Sequence, residues 1–202
     1  ERLRRLGLLS PGLIGAHGIH LTTTEIALLA QHGCSIAHCP SSNLKTASGI
    51  APIIELSQKG INIGLGSDGA TSNNRLDMFQ EMRLAALLAN GISGQAEAMS
   101  AHQALRMATL GGAQALGLET TCGSIVAGKA ADLCAICIND IDLVPCYDAA
   151  SLLVYSAGRE DVTDVWVSGS IRVGDGELLG TDEIELIRLA ALWQNQIRPR
   201  DV

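Results

Sequence analysis

Residues 60–88, GINIGLGSDGATSNNRLDMFQEMRLAALL, constrain the fold of this chain more than any other stretch. Their opening, residues 61–66, is a short apolar run ending in glycines, the pattern of a buried strand that feeds a loop. Asp68 stands at the first turn of that loop. An unpaired charge beside a fully apolar strand costs several kcal/mol, so a partner for it is expected. In a parallel α/β sheet or barrel, the C-terminal ends of the strands are where ligands and metals bind. An aspartate that caps the next helix or stabilises the Ser67-Asp68-Gly69 turn fits the spacing equally well. The stretch also spells G-x-G-x-x-G through Gly64, Gly66 and Gly69. A dinucleotide site needs a helix at once after the glycines and an acidic residue after the next strand. A polar loop, residues 70–73, follows instead, and Asp68 would put a negative charge into the phosphate cradle.

Around this stretch the pattern alternates. Residues 1–9 are helix-like and stop at Ser10-Pro11-Gly12. Residues 13–19 read as a strand, and residues 22–33 as an amphipathic helix with threonines for an N-cap and Gly33 as its stop. A second strand is expected over 34–40, a polar loop at 41–43, and a helix over 49–60 with Pro52 in its first turn. The third strand, 61–66, leads to a helix from about residue 74 to 90. Strands recurring at the spacing of a βαβ unit are parallel, which gives an α/β fold. Beyond a Gly/Ser break at 91–94, residues 98–118 form a long helical pattern, and then short β-type segments with glycine turns predict a small separate sheet. The end, from residue 182 to about 196, is helical again. The expected division is 1–118 for the α/β part, 119–180 for the small sheet and 181–202 for a C-terminal helix.

A hydrophobic content of 47% against 17% charged residues supports a sizeable core and excludes disorder. A net charge of −7 argues against nucleic acid or an anionic membrane as partner, and 2% aromatics leaves no base-stacking platform. The apolar runs are too short to span a membrane. Six cysteines without secretory features read as reduced thiols in a cytoplasmic protein. Cys134 and Cys137 form C-x-x-C, but in a strand-like run residues three apart point to opposite faces.

His17 falls near the end of the first strand, His38 near the end of the second and Asp68 at the end of the third. Parallel strand ends converge on one face, so these three side chains can line one pocket. Imidazole and carboxylate there suit a zinc-type or iron-type ion, with the carboxylate also able to take a proton from water. A histidine on a strand is also commonly a satisfied core residue. His17 and His20 are three apart, so only one is expected to face the pocket. His32 and His102 read as helix-end or solvent-facing residues.

The segments AHGIHL (16–21), HCPSSNLKTASGIAP (38–52), GLGSDGATSNNRLDMFQEMRLAALL (64–88), MATLGGAQALGL (107–118) and GSIVAGKAADL (123–133) together resemble the amidohydrolase superfamily. Within it the resemblance is to the 5-methylthioadenosine/S-adenosylhomocysteine deaminases and their guanine deaminase and triazine chlorohydrolase relatives. It runs from about residue 13 to 179. It implies a (β/α)8 barrel with one divalent metal, zinc first and iron or manganese as alternatives, plus a small β-sandwich. The three strands would be the sixth, seventh and eighth of the barrel.

By that resemblance Asp68 is the eighth-strand aspartate that binds the metal, accepts the proton of the attacking water and contacts substrate. His17 matches the sixth-strand histidine that orients that water. His38, Ser42 and Asn43 match a seventh-strand motif whose loop shapes the pocket, with His38 expected to bind substrate. Asn73 and Asn74 match residues that hold the loop. The implied reaction is hydrolytic release of ammonia from an adenosine-type thioether. The alternatives are a guanine or 8-oxoguanine deaminase, a triazine-type chlorohydrolase, or a non-catalytic, partner-dependent half-barrel. The implied partners are a small nucleoside-like substrate and, for the whole enzyme, further copies of itself. The family's H-x-H and H-x-x-E are absent from the sequence, and Glu25, inside a helix, is not placed to substitute. The chain is therefore expected to be the C-terminal part of a longer enzyme and, alone, to turn over nothing measurable.

Overall fold

A computed structural model describes residues 1–197. After a single helical turn, α1 (Arg2–Arg5), the chain runs through β1 (Ile14–Ala16), α2 (Thr23–Gln31), β2 (Ser35–His38), α3 (Pro40–Lys45), α4 (Ile53–Gln58), β3 (Asn62–Leu65) and α5 (Met78–Ser93). The three strands form a parallel sheet in the order β1-β2-β3, with Ile36 opposite Gly15 on one side and Ile63 on the other. One side of the sheet is apolar. Ile36 and Ile63 pack there with Ile26 of α2, Leu56 of α4, and Met82, Ala85, Ala86 and Ala89 of α5.

Local chemistry explains the helix ends. Thr22 and Glu25 form a reciprocal capping box at the start of α2, and Gly33 leaves it with φ of 66°. The first strand stops short of the expected residues 13–19 because His17 and Gly18 turn to positive φ. Residues 41–43, expected as loop, are helical: Pro40 at the first helical position presets φ, and two serines and an asparagine follow in α3. The helix expected from residue 74 begins at Met78. Leu76 sits at φ of 51°, and the Asp77 carboxylate caps α5 by accepting from the N–H groups of Phe79 and Gln80.

The helical pattern at 98–118 is one rod in three pieces: α6 (Ala101–Arg106), a π turn over Met107–Gly111, and α7 (Gly112–Ala115). The rod lies so close to β3 that a Cβ on Gly111 would stand 2.4 Å from the Ile63 carbonyl oxygen, and one on Gly64 would stand 3.0 Å from the Gly112 Cα. The Asn62 amide donates to the Gly111 carbonyl at 3.0 Å, fastening rod to strand. These glycines serve backbone contact and not a phosphate.

Beyond the rod, β4 (Leu133–Ile136), β5 (Val162–Val167), β6 (Ser170–Gly174) and β7 (Glu177–Leu178) form an antiparallel sheet in that order. Ser168-Gly169 and Asp175-Gly176 both take paired positive φ, as two-residue hairpin turns of right-twisted strands require. Between β4 and β5 lies α8 (Ala149–Tyr155), capped by Asp148, a helix the sequence pattern does not announce. The C-terminal helix is α9 (Glu183–Ile197), and the rest of the expected segment, 198–202, lies outside the described residues. All six cysteines are free, Cys134 and Cys137 among the exposed ones. Among the described residues no helix is long and apolar enough to cross a membrane.

Candidate active site

The C-terminal ends of β1 and β3 bring His17 and Asp68 together across the end of β2. His17 Nε2 lies 3.9 Å from Asp68 Oδ2, and each side chain is a little over one-third exposed. Both residues adopt left-handed backbone conformations, φ of 67° and 61°, and each is followed by a glycine. Such strain in non-glycine residues costs on the order of 1–3 kcal/mol and clusters at functional sites. At His17 it is held by the backbone N–H donating to the Ala37 carbonyl at 2.9 Å.

Two neighbours on α3 orient the pair. The Ser42 hydroxyl donates to Asp68 Oδ2 at 2.7 Å, and the Asn43 amide oxygen faces His17 Nδ1 at 2.8 Å. An amide oxygen only accepts, so Nδ1 carries a proton, and in the neutral ring Nε2, turned toward Asp68, keeps its lone pair. The Ser72 hydroxyl adds a second bond to Asp68 Oδ2 at 2.8 Å. The Ser42 bond, then the Ser72 bond, then a backbone bond from Gly69 hold the Asp68 carboxyl down to about 2. The partner that an aspartate at this strand end requires is thus a set of hydroxyl donors, and the carboxylate remains part-exposed.

A carboxylate oxygen and an imidazole lone pair within a few ångströms are a borderline-hard donor set that suits zinc. They do not complete a site: among the described residues no group of three or more His, Cys, Asp or Glu side chains is placed to hold a metal ion. Beside them the Cys39 thiol is pushed up to about 11 by burial and by the charges of Asp68 and Glu81, which keeps it a thiol.

His38 differs from expectation. It is 1% exposed, it alternates onto the Ile36 face of β2, and neither ring nitrogen has a partner among the described residues. It is closed off from solvent within this chain. Burial, reinforced by any positive charge on the nearby His17 ring, depresses its pKa to about 4, so it folds neutral. The sign follows from linkage. Between pH about 6.5 and 4 the unfolded chain binds a proton that the folded chain refuses, so stability falls as pH drops through that window, by on the order of 3 kcal/mol at its foot. His38→Leu, which removes no hydrogen bond, should flatten this dependence. Urea midpoints at pH 7 and pH 4.5 for both proteins measure it, and an equal loss in both would assign acid sensitivity elsewhere.

Sequence reasoning missed Ser72 and Glu81. Glu81 is fully buried on α5, with Oε2 accepting from the Ser41 backbone N–H at 3.1 Å and Oε1 accepting from the Asn73 amide at 2.7 Å. Its signal was a carboxylate inside the helix's apolar stripe, one residue before Met82 and four before Ala85. Asn73 also accepts from the Leu76 N–H at 3.2 Å, and Asn74 accepts from Lys45 at 2.5 Å, so both asparagines hold the loop. His102, on α6, lies 3.4 Å from Asp148, far along the chain from this cluster.

A parallel sheet that gathers a histidine and an aspartate at its strand ends places them where α/β folds hold their ligands. The chain belongs to the amidohydrolase family, whose pattern matches residues 1–172. It is 50% identical over 184 residues to the 5-methylthioadenosine/S-adenosylhomocysteine deaminase of Moorella thermoacetica, covering 91% of this chain and 43% of that protein. It is 41% identical over 181 residues to the 5'-deoxyadenosine deaminase of Methanosarcina barkeri, covering 90% and 41%. Among solved structures, an adenosine deaminase from Xanthomonas campestris with bound zinc superimposes with a TM-score of 0.95 at 45% identity, over 98% of this chain and 45% of that one. The atrazine chlorohydrolase of Arthrobacter aurescens complexed with zinc gives 0.87 at 30% identity, over 94% and 42%. The chain thus spans less than half the length of the curated relatives it matches.

Proposed function

We propose that this chain supplies the last three strands, the sixth to eighth, of a (β/α)8 barrel, together with part of a small β-sandwich, in a hydrolytic deaminase of adenosine-type thioethers. Residues 1–118 are the barrel part, 119–180 the sandwich part, and the segment from 181 on carries α9. The observation that carries the reading is the approach of His17 Nε2 to Asp68 Oδ2 at the strand ends. The deaminase names of the most similar relatives support the reaction class.

Asp68 would hold a divalent metal, zinc by preference and iron or manganese as alternatives, which would bring the pKa of water toward neutrality. The chain's own residues do the rest. Asp68, kept anionic by Ser42 and Ser72, takes a proton from the attacking water. His17, its tautomer fixed by Asn43, accepts a hydrogen bond from that water at Nε2 and aims it. The oxygen adds to the ring carbon that bears the amine. The proton is then delivered to the amine, which leaves as ammonia.

The test joins this chain to the residues that complete the barrel. Zinc, iron and manganese content is measured, and ammonia release is followed with 5-methylthioadenosine, S-adenosylhomocysteine, adenosine and guanine. Preference for the thioethers is the expected result. Preference for guanine, chloride release from a triazine in place of ammonia, or full deaminase activity in the 202-residue chain alone would overturn the reading.

A further inference from the structure

We propose that Glu81 is a positioning residue that sets the orientation of Asp68 through two loops at once. The two segments that bond Glu81 are the two that bond Asp68. Ser41 donates its backbone N–H to Glu81, and the next residue, Ser42, donates its hydroxyl to Asp68. Asn73 donates its amide to Glu81, and the preceding residue, Ser72, donates its hydroxyl to Asp68. The two carboxylates are therefore linked through the same pair of backbone segments, one fully buried and one part-exposed.

The geometry makes Glu81 more than a tolerated buried charge. A fully desolvated carboxylate needs good donors on its oxygens, and each of its two oxygens has one, at 3.1 and 2.7 Å. Neither donor comes from α5, the helix that carries Glu81, so the side chain ties three elements at one point: α3, the loop after β3, and α5. Gln80 adds a weaker tie from the same helix, its amide donating to the Ser41 hydroxyl at 3.3 Å. Asn73 is fixed from its other side by the Leu76 N–H, so it cannot swing to another acceptor without giving up that bond. Lys45 of α3 also ties the two segments, donating to the Thr71 carbonyl at 2.6 Å and to Asn74, but that tie is exposed, and Glu81 supplies the buried one that gives the two hydroxyls a common reference.

Glu81→Gln keeps the size and removes one acceptor, so an NH2 group must face either Asn73 or the Ser41 N–H. The double variant Asn73→Asp with Glu81→Gln reverses donor and acceptor. Its new amide on α5 accepts from Ser41 and donates to the new carboxylate in the loop, which still accepts from the Leu76 N–H. In the full barrel enzyme, Glu81→Gln is expected to lower kcat roughly 10- to 100-fold with little change in KM, because reacting groups are misplaced and substrate contacts are not. The double variant is expected to recover most of that loss. Crystal structures supply a readout independent of turnover: in Glu81→Gln the Ser42 and Ser72 hydroxyls should move beyond about 3.5 Å from Asp68, and in the double variant they should return. The kinetic arm rests on the deaminase reading, whereas the structural arm does not. An enzyme that releases no ammonia yet shows these movements would sink the function and keep the positioning role. Unmoved hydroxyls in Glu81→Gln would overturn the positioning role, as would a well-folded double variant with no recovery.

Discussion

Asp68→Asn is expected to lower kcat roughly a thousandfold in the completed enzyme, the loss typical of removing a general base. Asparagine is nearly isosteric and its amide oxygen can still accept from Ser42 and Ser72, so the loop should hold its shape. What disappears is the negative charge and the capacity to take a proton, on a group that three donors keep ionised down to about 2. The metal should also be held more weakly, so kcat and metal content are measured together. Ser42→Ala removes only one of the donors and should cost far less. An Asp68→Asn enzyme within about tenfold of the parent would remove Asp68 from the chemistry.

The largest expected loss of stability is at Gly111. A methyl there would enter the Ile63 carbonyl oxygen at 2.4 Å and the Arg106 carbonyl oxygen at 3.1 Å, and both are backbone atoms that cannot rotate aside. Gly111→Ala is expected to destabilise the fold by about 3 kcal/mol or more, the upper range for overpacking. Gly91 is the control. It lies inside α5, exposed, with nothing within 4 Å of its would-be Cβ, so Gly91→Ala should stabilise by about 0.5–1 kcal/mol through helix propensity. Urea unfolding of both variants reads the opposite signs. If Gly111→Ala unfolds at the parent's midpoint, the rod does not press on β3.

Much of the α/β alternation was legible because its signals are short-range. The threonine N-cap before α2, the glycine stop at Gly33 and the apolar run at 61–66 each act within one turn or one strand. Two departures came from residues whose preference is conditional. Pro40 starts a helix where the serines after it suggest a loop, and Leu76 takes a left-handed conformation with its N–H held by the Asn73 side chain three residues back. The histidine and aspartate at the strand ends were legible because parallel strands carry successive ends to one face. The burial of His38 was harder to read, because strand alternation sets it on the Ile36 face of β2. Glu81 was hidden for another reason: its partners, Ser41 and Asn73, are 40 and 8 residues away, and no local pattern announces a buried carboxylate that is satisfied by distant donors. The close seat of Gly111 on β3 was equally invisible, since glycine in a helical pattern reads first as a weakness.

Ser42 and Asn43 are consecutive residues of one short helix, and one steers the aspartate while the other steers the histidine. Any displacement of α3 would therefore act on the partners of both side chains together. On the proposed reading, a change of substrate can come from the surrounding loops, whereas the spacing of acid and imidazole has little room to change without replacing that dipeptide.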